Sequence, residues 1–144
     1  MRSPHSDVEV RSSVGLEGVG RLSDAARETG LAVDLALSVV PGELSTTIES
    51  AAYRMLQESL TNVLRHSAAS AVRIRAGVDN GILTLEVTDN GIQGVGAVAA
   101  PASNGHGIIG MRERAAALGG SLSITGPSAD GFSVRARLPA RLEP

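Results

Sequence analysis

Glu58, Asn62 and His66 follow one another at four-residue steps in the stretch QESLTNVLRH, residues 57–66. That spacing stacks side chains on one face of a helix. A carboxylate there can serve as a general base. An amide oxygen is a hard ligand of the kind Mg²⁺ takes beside phosphate oxygens and water. Farther along, TDNG (88–91) puts Asp89 where the chain leaves a strand, a carboxylate able to accept a hydrogen bond from a base. NGHGIIGM (104–111) then brings Gly105 and Gly107 to the expected start of a helix. Free N–H groups at such a start favour phosphate, and glycine lets it approach closely. The three segments converge on one chemistry, recognition of a nucleoside triphosphate with Mg²⁺. Each also has a plainer reading. Glu58, Asn62 and His66 could be the wet face of an amphipathic helix, with His66 a cation at its C-terminus. Asp89 could be an ordinary turn aspartate before Asn-Gly. The two glycines could be loop residues, and His106 an exposed neighbour.

Positioning these groups requires a framework, and 144 residues suffice for one domain with a core. The formal charge of −2 gives no electrostatic footprint for nucleic acid, and Tyr53 and Phe132 are too few aromatics for a base-stacking surface. The absence of cysteine excludes disulfides and thiolate metal sites, and the histidines show no zinc-ligand grouping. There is no apolar run of membrane-spanning length and no signal-peptide core. The expectation is a cytoplasmic domain, free or part of a membrane-anchored protein.

Residues 1–13 are polar and aperiodic, and read as a linker or disordered tail before a domain at 14–140. Residues 14–30 carry a weak helical period ending at Gly30. Val33, Leu35, Leu37 and Val39 alternate as in a half-buried strand. Ser45 or Thr46 can cap a helix running to about residue 66, with Glu49 in its first turn. Its apolar stripe is Ile48, Ala52, Met55, Leu56, Leu60 and Val63. Two strands follow, joined through DNG (79–81), the strongest short hairpin signal. Residues 91–107 have no period, which marks a functional lid or disorder. A helix over 108–120 and two closing strands complete the chain, with Pro139 ending the sheet.

The strands are apolar on one side and carry Arg73, Arg75, Glu86, Arg135 and Arg137 on the other. Such a sheet is covered by helices on one face only. The expected fold is therefore a two-layer open α/β sandwich with a mixed, mostly antiparallel sheet. A doubly wound nucleotide-binding fold would need both faces apolar.

In this order the segments are similar to those of a known family. AAYRMLQESLTNVLRHSAAS (51–70) resembles the N-box, VTDNG (87–91) the G1 box, GHGIIGMRERAAALGGSLSI (105–124) the G2 box and its helix, and GFSVRARLP (131–139) the closing strand of the ATP-binding domain of bacterial sensor histidine kinases. These belong to the gyrase, Hsp90, histidine kinase and MutL superfamily. The likeness covers roughly residues 15–139 and is greatest to the kinases that pair with LuxR/NarL-type response regulators. It implies the Bergerat ATP-binding fold, with ATP and Mg²⁺ as cofactors. By the same likeness Asn62 would coordinate the metal, and Glu58 would be the base or polarising carboxylate. Asp89 would accept from the adenine amino group, and Gly91 would let the base pack closely. Arg65 and His66 would lie near the phosphates, Gly105 and Gly107 would give backbone contacts to them, His106 and Ile108 would also belong to the ATP site, and a lid at 92–106 would order over the phosphates. The implied activity is transfer of the γ-phosphoryl of ATP to a histidine on separate dimerisation helices, which would be the domain's partner. Alone the domain would be monomeric.

The likeness has gaps. Gln93 stands where the G1 box often has a second glycine, and the closing strand has Gly131-Phe132 in place of Gly-Thr. His5 follows a proline and does not resemble a phosphoacceptor on a long helix. Two alternatives remain at this level: a nucleotide-binding regulatory module without catalysis, and a serine kinase of the anti-sigma type.

Overall fold

A computed structural model describes residues 16–66, 69–91, 100–128 and 131–141, except for the side chains of Glu17, His66, residues 100–107, Pro127 and Ser128. The expected tail at 1–13 and lid residues 92–99 lie outside the described residues.

The described residues open with a 3-10 turn, Leu16–Gly18, that leads into α1, Val19–Glu28. β1 (Ala32–Ser38) is followed by the long helix α2 (Thr46–His66). The hairpin β2 (Ala71–Asp79) and β3 (Ile82–Asp89) comes next. Helix α3 (Ala100–Ala117) and strands β4 (Ser121–Ser128) and β5 (Gly131–Pro139) finish the fold. The five strands form one sheet in the order β1-β2-β3-β5-β4. Only β1 and β2 pair in parallel; the other three pairs are antiparallel. The mixed open sandwich expected from the strand faces is what forms.

The packing follows the side-chain periods. Val72, Ile74 and Ala76 of β2, Leu83, Leu85 and Val87 of β3, and Val134, Ala136 and Leu138 of β5 are all buried. The period-2 alternation puts them on one face, where they meet Ile48, Ala52, Met55, Leu56, Leu60 and Val63 of α2 and Met111 and Ala115 of α3. Each fully buried Ile, Leu or Met here stabilises by roughly 1.5–3 kcal/mol. Arg73, Arg135 and Arg137 are exposed on the opposite face, with Arg75 and Glu86 half-buried. Two ion pairs bridge strands there, Arg75 to Asp34 at 2.9 Å and Arg135 to Glu86 at 3.6 Å.

The turn at 79–81 has the expected geometry. Asn80 and Gly81 have φ of 53° and 77°, and Asp79 pairs with Ile82, which makes a two-residue hairpin of the primed type. Ser45 stands at the start of α2, where its carbonyl accepts the Glu49 N–H at 2.9 Å. Its hydroxyl, however, is buried with no hydrogen-bond partner, so it does not cap the helix.

Helix α3 departs most from expectation. It begins at Ala100, well before residue 108, and takes in the second half of the stretch 91–107. Ala100, Ala102 and Ser103 tolerate helix, and Pro101 falls in the first turn, where its missing N–H costs nothing. The C-terminal end is as expected. Gly120 N–H reaches Ala115 O at 2.8 Å and Gly119 N–H reaches Ala116 O at 3.0 Å, the paired bonds of a Schellman closure.

Candidate nucleotide site

Three segments converge at one end of the sandwich because of where their elements start and stop. α2 begins beside the start of β3: Ser45 N–H donates to Ala140 O at 3.0 Å, and Ala140 N–H to Gly81 O at 2.8 Å. α2 then runs along β3 for about 30 Å, so its polar end arrives near Asp89. α3 runs the other way. Its closing Gly120 packs on Arg137 and Leu138, which pair with Thr84 and Leu83. The N-terminal half of α3 is therefore directed toward the Asp89 end. The two helices meet where buried Ser59 Oγ donates to Met111 Sδ at 3.7 Å. A small void beneath them is lined by Met55, Ser59, Leu85, Val87 and Val134, among others.

Asp89 is the one carboxylate among the buried described residues, 3 % exposed. It continues the inward face of β3 one pleat beyond Val87. Burial of a carboxylate in an apolar layer is costly unless it is hydrogen-bonded. Its Oδ1 accepts the N–H of Gly91 at 2.6 Å, the aspartate turn foreseen as the plainer reading. Burial is what that plainer reading does not explain. Across the ladder Asp89 faces Phe132, a half-buried ring.

Glu58 and Asn62 are half-buried on α2, while Arg65 is exposed. At 100° per residue Asn62 shares a flank with Met55 and Ser59, both buried. Glu58 and Asn62 therefore stand where the helix passes from core to surface. The side chain of His66 is outside the described residues. Gly91 is half-buried beside Asp89. Gly105, His106 and Gly107 lie on the second turn of α3, where the expectation put Gly105 and Gly107 at a helix start. The orphan N–H groups of α3 belong to its first turn, near Ala100. Ile108 is partly buried against the core, and its neighbour Ile109 is 54 % exposed.

Asn90 and Gly131 hold this end together, and neither role was foreseen. Asn90 bonds the segment after α2, and Gly131 packs on the backbone of Asp89. Both contacts join residues far apart in sequence.

Comparisons with known proteins bear on the family and the fold. The profile described as "Histidine kinase-, DNA gyrase B-, and HSP90-like ATPase" matches residues 47–142. The sensor histidine kinase LiaS of Bacillus subtilis (strain 168) is 32% identical over 123 residues, covering 85% of this chain and 33% of LiaS. The sensor histidine kinase YxjM of the same organism is 34% identical over 134 residues, covering 89% of this chain and 31% of YxjM. The chain thus spans about a third of the length of these relatives. Among solved structures, the blue-light activated histidine kinase of Erythrobacter litoralis EL346 superposes with a TM-score of 0.68 at 23% identity, over 88% of this chain and 45% of that one. The histidine kinase AdeS of Acinetobacter baumannii gives 0.66 at 18% identity, over 89% and 64%. These likenesses show the same fold. The match across residues 47–142 takes in α2, the end of β3, α3 and the closing strands, and the chain belongs to the family of histidine kinase-, DNA gyrase B- and HSP90-like ATPases.

Proposed function

We propose that the chain is the ATP- and Mg²⁺-binding catalytic domain of a two-component sensor histidine kinase. The observation that carries this reading is the buried Asp89 at the strand end toward which α2 carries Asn62. In this reading Asp89 accepts from the adenine amino group, and Gly91 leaves room for the base. Arg65 and His66 lie along the phosphates, with residues 105–108, at the end of the lid 92–106, opposite.

The donor chemistry fits Mg²⁺. Among the described residues no group of three or more His, Cys, Asp or Glu can hold a metal. Mg²⁺ in nucleotide sites takes one or two protein ligands and fills its shell with phosphate oxygens and water. The Asn62 carboxamide oxygen suits that small share. When bound, the metal would offset charge on the phosphates.

The reaction proposed is in-line phosphoryl transfer. A histidine nitrogen on separate dimerisation helices forms a bond to the γ-phosphorus, the bond to the bridging oxygen breaks, and ADP leaves. Glu58 takes or polarises the imidazole proton. Catalysis then rests on positioning and charge stabilisation. The likeness of its motifs to those of kinases that serve LuxR/NarL-type response regulators supports placing it in that subfamily. No described helix is long and apolar enough to cross a membrane, and the domain is proposed to work in the cytoplasm as part of a longer kinase.

Calorimetric titration of this chain with ATP and Mg²⁺ tests the reading. Wild type should bind. Asp89→Ala should lose recognition of the base, and Asn62→Ala should lose chiefly the dependence on magnesium. A folded wild type that binds no ATP would overturn the proposal. Adding the dimerisation helices in trans should yield a phosphorylated histidine.

A further inference from the structure

The inward face of β3 and β5 changes character at its last rung. Leu85 pairs with Ala136 and Val87 with Val134, and all four are buried. The next inward pair is Asp89 with Phe132, a carboxylate beside a ring. Side chains directly opposite in an antiparallel pair have β-carbons about 4.5–5.5 Å apart. The rung is held from both sides. On the outward face one residue back, Thr88 Oγ1 and Ser133 Oγ share a hydrogen bond at 3.0 Å. One residue on from Phe132, Gly131 packs against the Asp89 carbonyl. Phe132 is packed on the core yet only half-buried, so part of its surface stays uncovered beside Asp89. Tyr53 is the one other aromatic residue in the chain.

We propose that Phe132 is a specificity-determining residue of the nucleotide site. Its ring forms the apolar wall on which the base packs, and it keeps water away from the hydrogen bond between the base and Asp89. The inference rests on the nucleotide reading above and extends it to the choice of base. Small-molecule sites pair an apolar wall with a few polar groups that fix orientation, and this rung supplies one of each. A phenyl ring neither donates nor accepts conventional hydrogen bonds, so the polar choice at the rung falls to the carboxylate, which only accepts. It takes the 6-amino group of adenine. Hypoxanthine in the same pose turns an oxo acceptor toward it, and two acceptors facing each other repel. That rejection is strongest where no water can come between them.

The test compares wild type, Phe132→Ala and Phe132→Leu by amide NMR titration with three probes: Mg-ATP, Mg-ITP and magnesium tripolyphosphate, which has no base. Phe132→Ala should weaken Mg-ATP about tenfold and leave tripolyphosphate within about twofold. It should also narrow the preference for ATP over ITP about fivefold, as water reaches Asp89. Phe132→Leu keeps an apolar wall without a π face, and covers the case in which Phe132→Ala fails to fold. It should weaken Mg-ATP about threefold and hold the preference within about twofold of wild type. Equal weakening of Mg-ATP and tripolyphosphate would mean damage to the fold in place of a lost base contact, and overturns the role of Phe132. So does wild-type Mg-ATP affinity in the folded variants, or an ATP-over-ITP preference that Phe132→Ala leaves unchanged. A wild type that binds no Mg-ATP overturns the nucleotide reading and this inference with it.

Discussion

Gly131 is packed so closely on Asp89 that a β-carbon at Gly131 would overlap the Asp89 carbonyl oxygen and come within 3.1 Å of Asn90 Cα. Its φ of 102° is also one that residues with side chains rarely adopt. Both obstacles are backbone and cannot swing aside. Gly131→Ala should therefore destabilise the fold by roughly 2 kcal/mol or more, read as a lower midpoint in urea. Because the displaced atoms carry Asp89 and Asn90, ATP affinity should fall in the fraction that remains folded.

A matched control lies at the other end of the sheet. Gly81 has φ of 77° in the hairpin turn, and Asp89 lies at the far end of the same strand. Gly81→Ala should cost about 1 kcal/mol through the left-handed backbone. ATP affinity of the folded protein should be unchanged. Measuring both variants by denaturation and calorimetry separates damage to the fold from damage to the site.

Acid stability carries the signature of one surface pair. The Arg75 guanidinium hydrogen-bonds Asp34 and lowers the pKa of its carboxyl, with a further contribution from the charge of Arg73. A carboxyl whose folded pKa is depressed contributes stability above its unfolded value. That contribution is lost as pH falls through the folded value. The pair is exposed, so the effect is small and salt-screened. Asp34→Asn should remove a shallow part of the acid limb of stability below about pH 4, visible at low salt and absent at high salt. Urea midpoints measured across that range would show it.

The sequence made most of this framework legible where a period was present. The stripe from Ile48 to Val63, the strand faces and the Asn80-Gly81 turn are local patterns, and each forms as read. The start of α3 was not legible. Residues 91–107 are small and aperiodic, and helix there depends on Pro101 falling in a first turn. Nor was the parallel pairing of β1 with β2, since the β1 pattern fixes its face but not its neighbour. At the site, residue types pointed to Asp89 and Asn62. The groups that brace the Asp89 end, Asn90 through Ser70 and Gly131 through the Asp89 backbone, depend on contacts between distant segments. Spacing along the chain carries no trace of such contacts.

Glu58 provides the sharpest separation of binding from chemistry. It is half-buried on the same flank of α2 as Asn62, and the proposed mechanism uses it only when an acceptor imidazole is present. Glu58→Gln keeps the size and the helix propensity of the side chain and removes its basicity. The substitution should leave Mg-ATP affinity within about twofold, since a group acting only in the transition state contributes nothing to ground-state binding. Transfer to the dimerisation helices supplied in trans should fall by roughly 10²–10⁴, the span of one general base. The measurement is single-turnover labelling at saturating ATP, so that weak binding cannot imitate slow chemistry. Equal loss of binding and transfer would make Glu58 a ligand-site residue. Unchanged transfer would remove it from the mechanism and leave positioning by Asn62 and Asp89 to account for the rate.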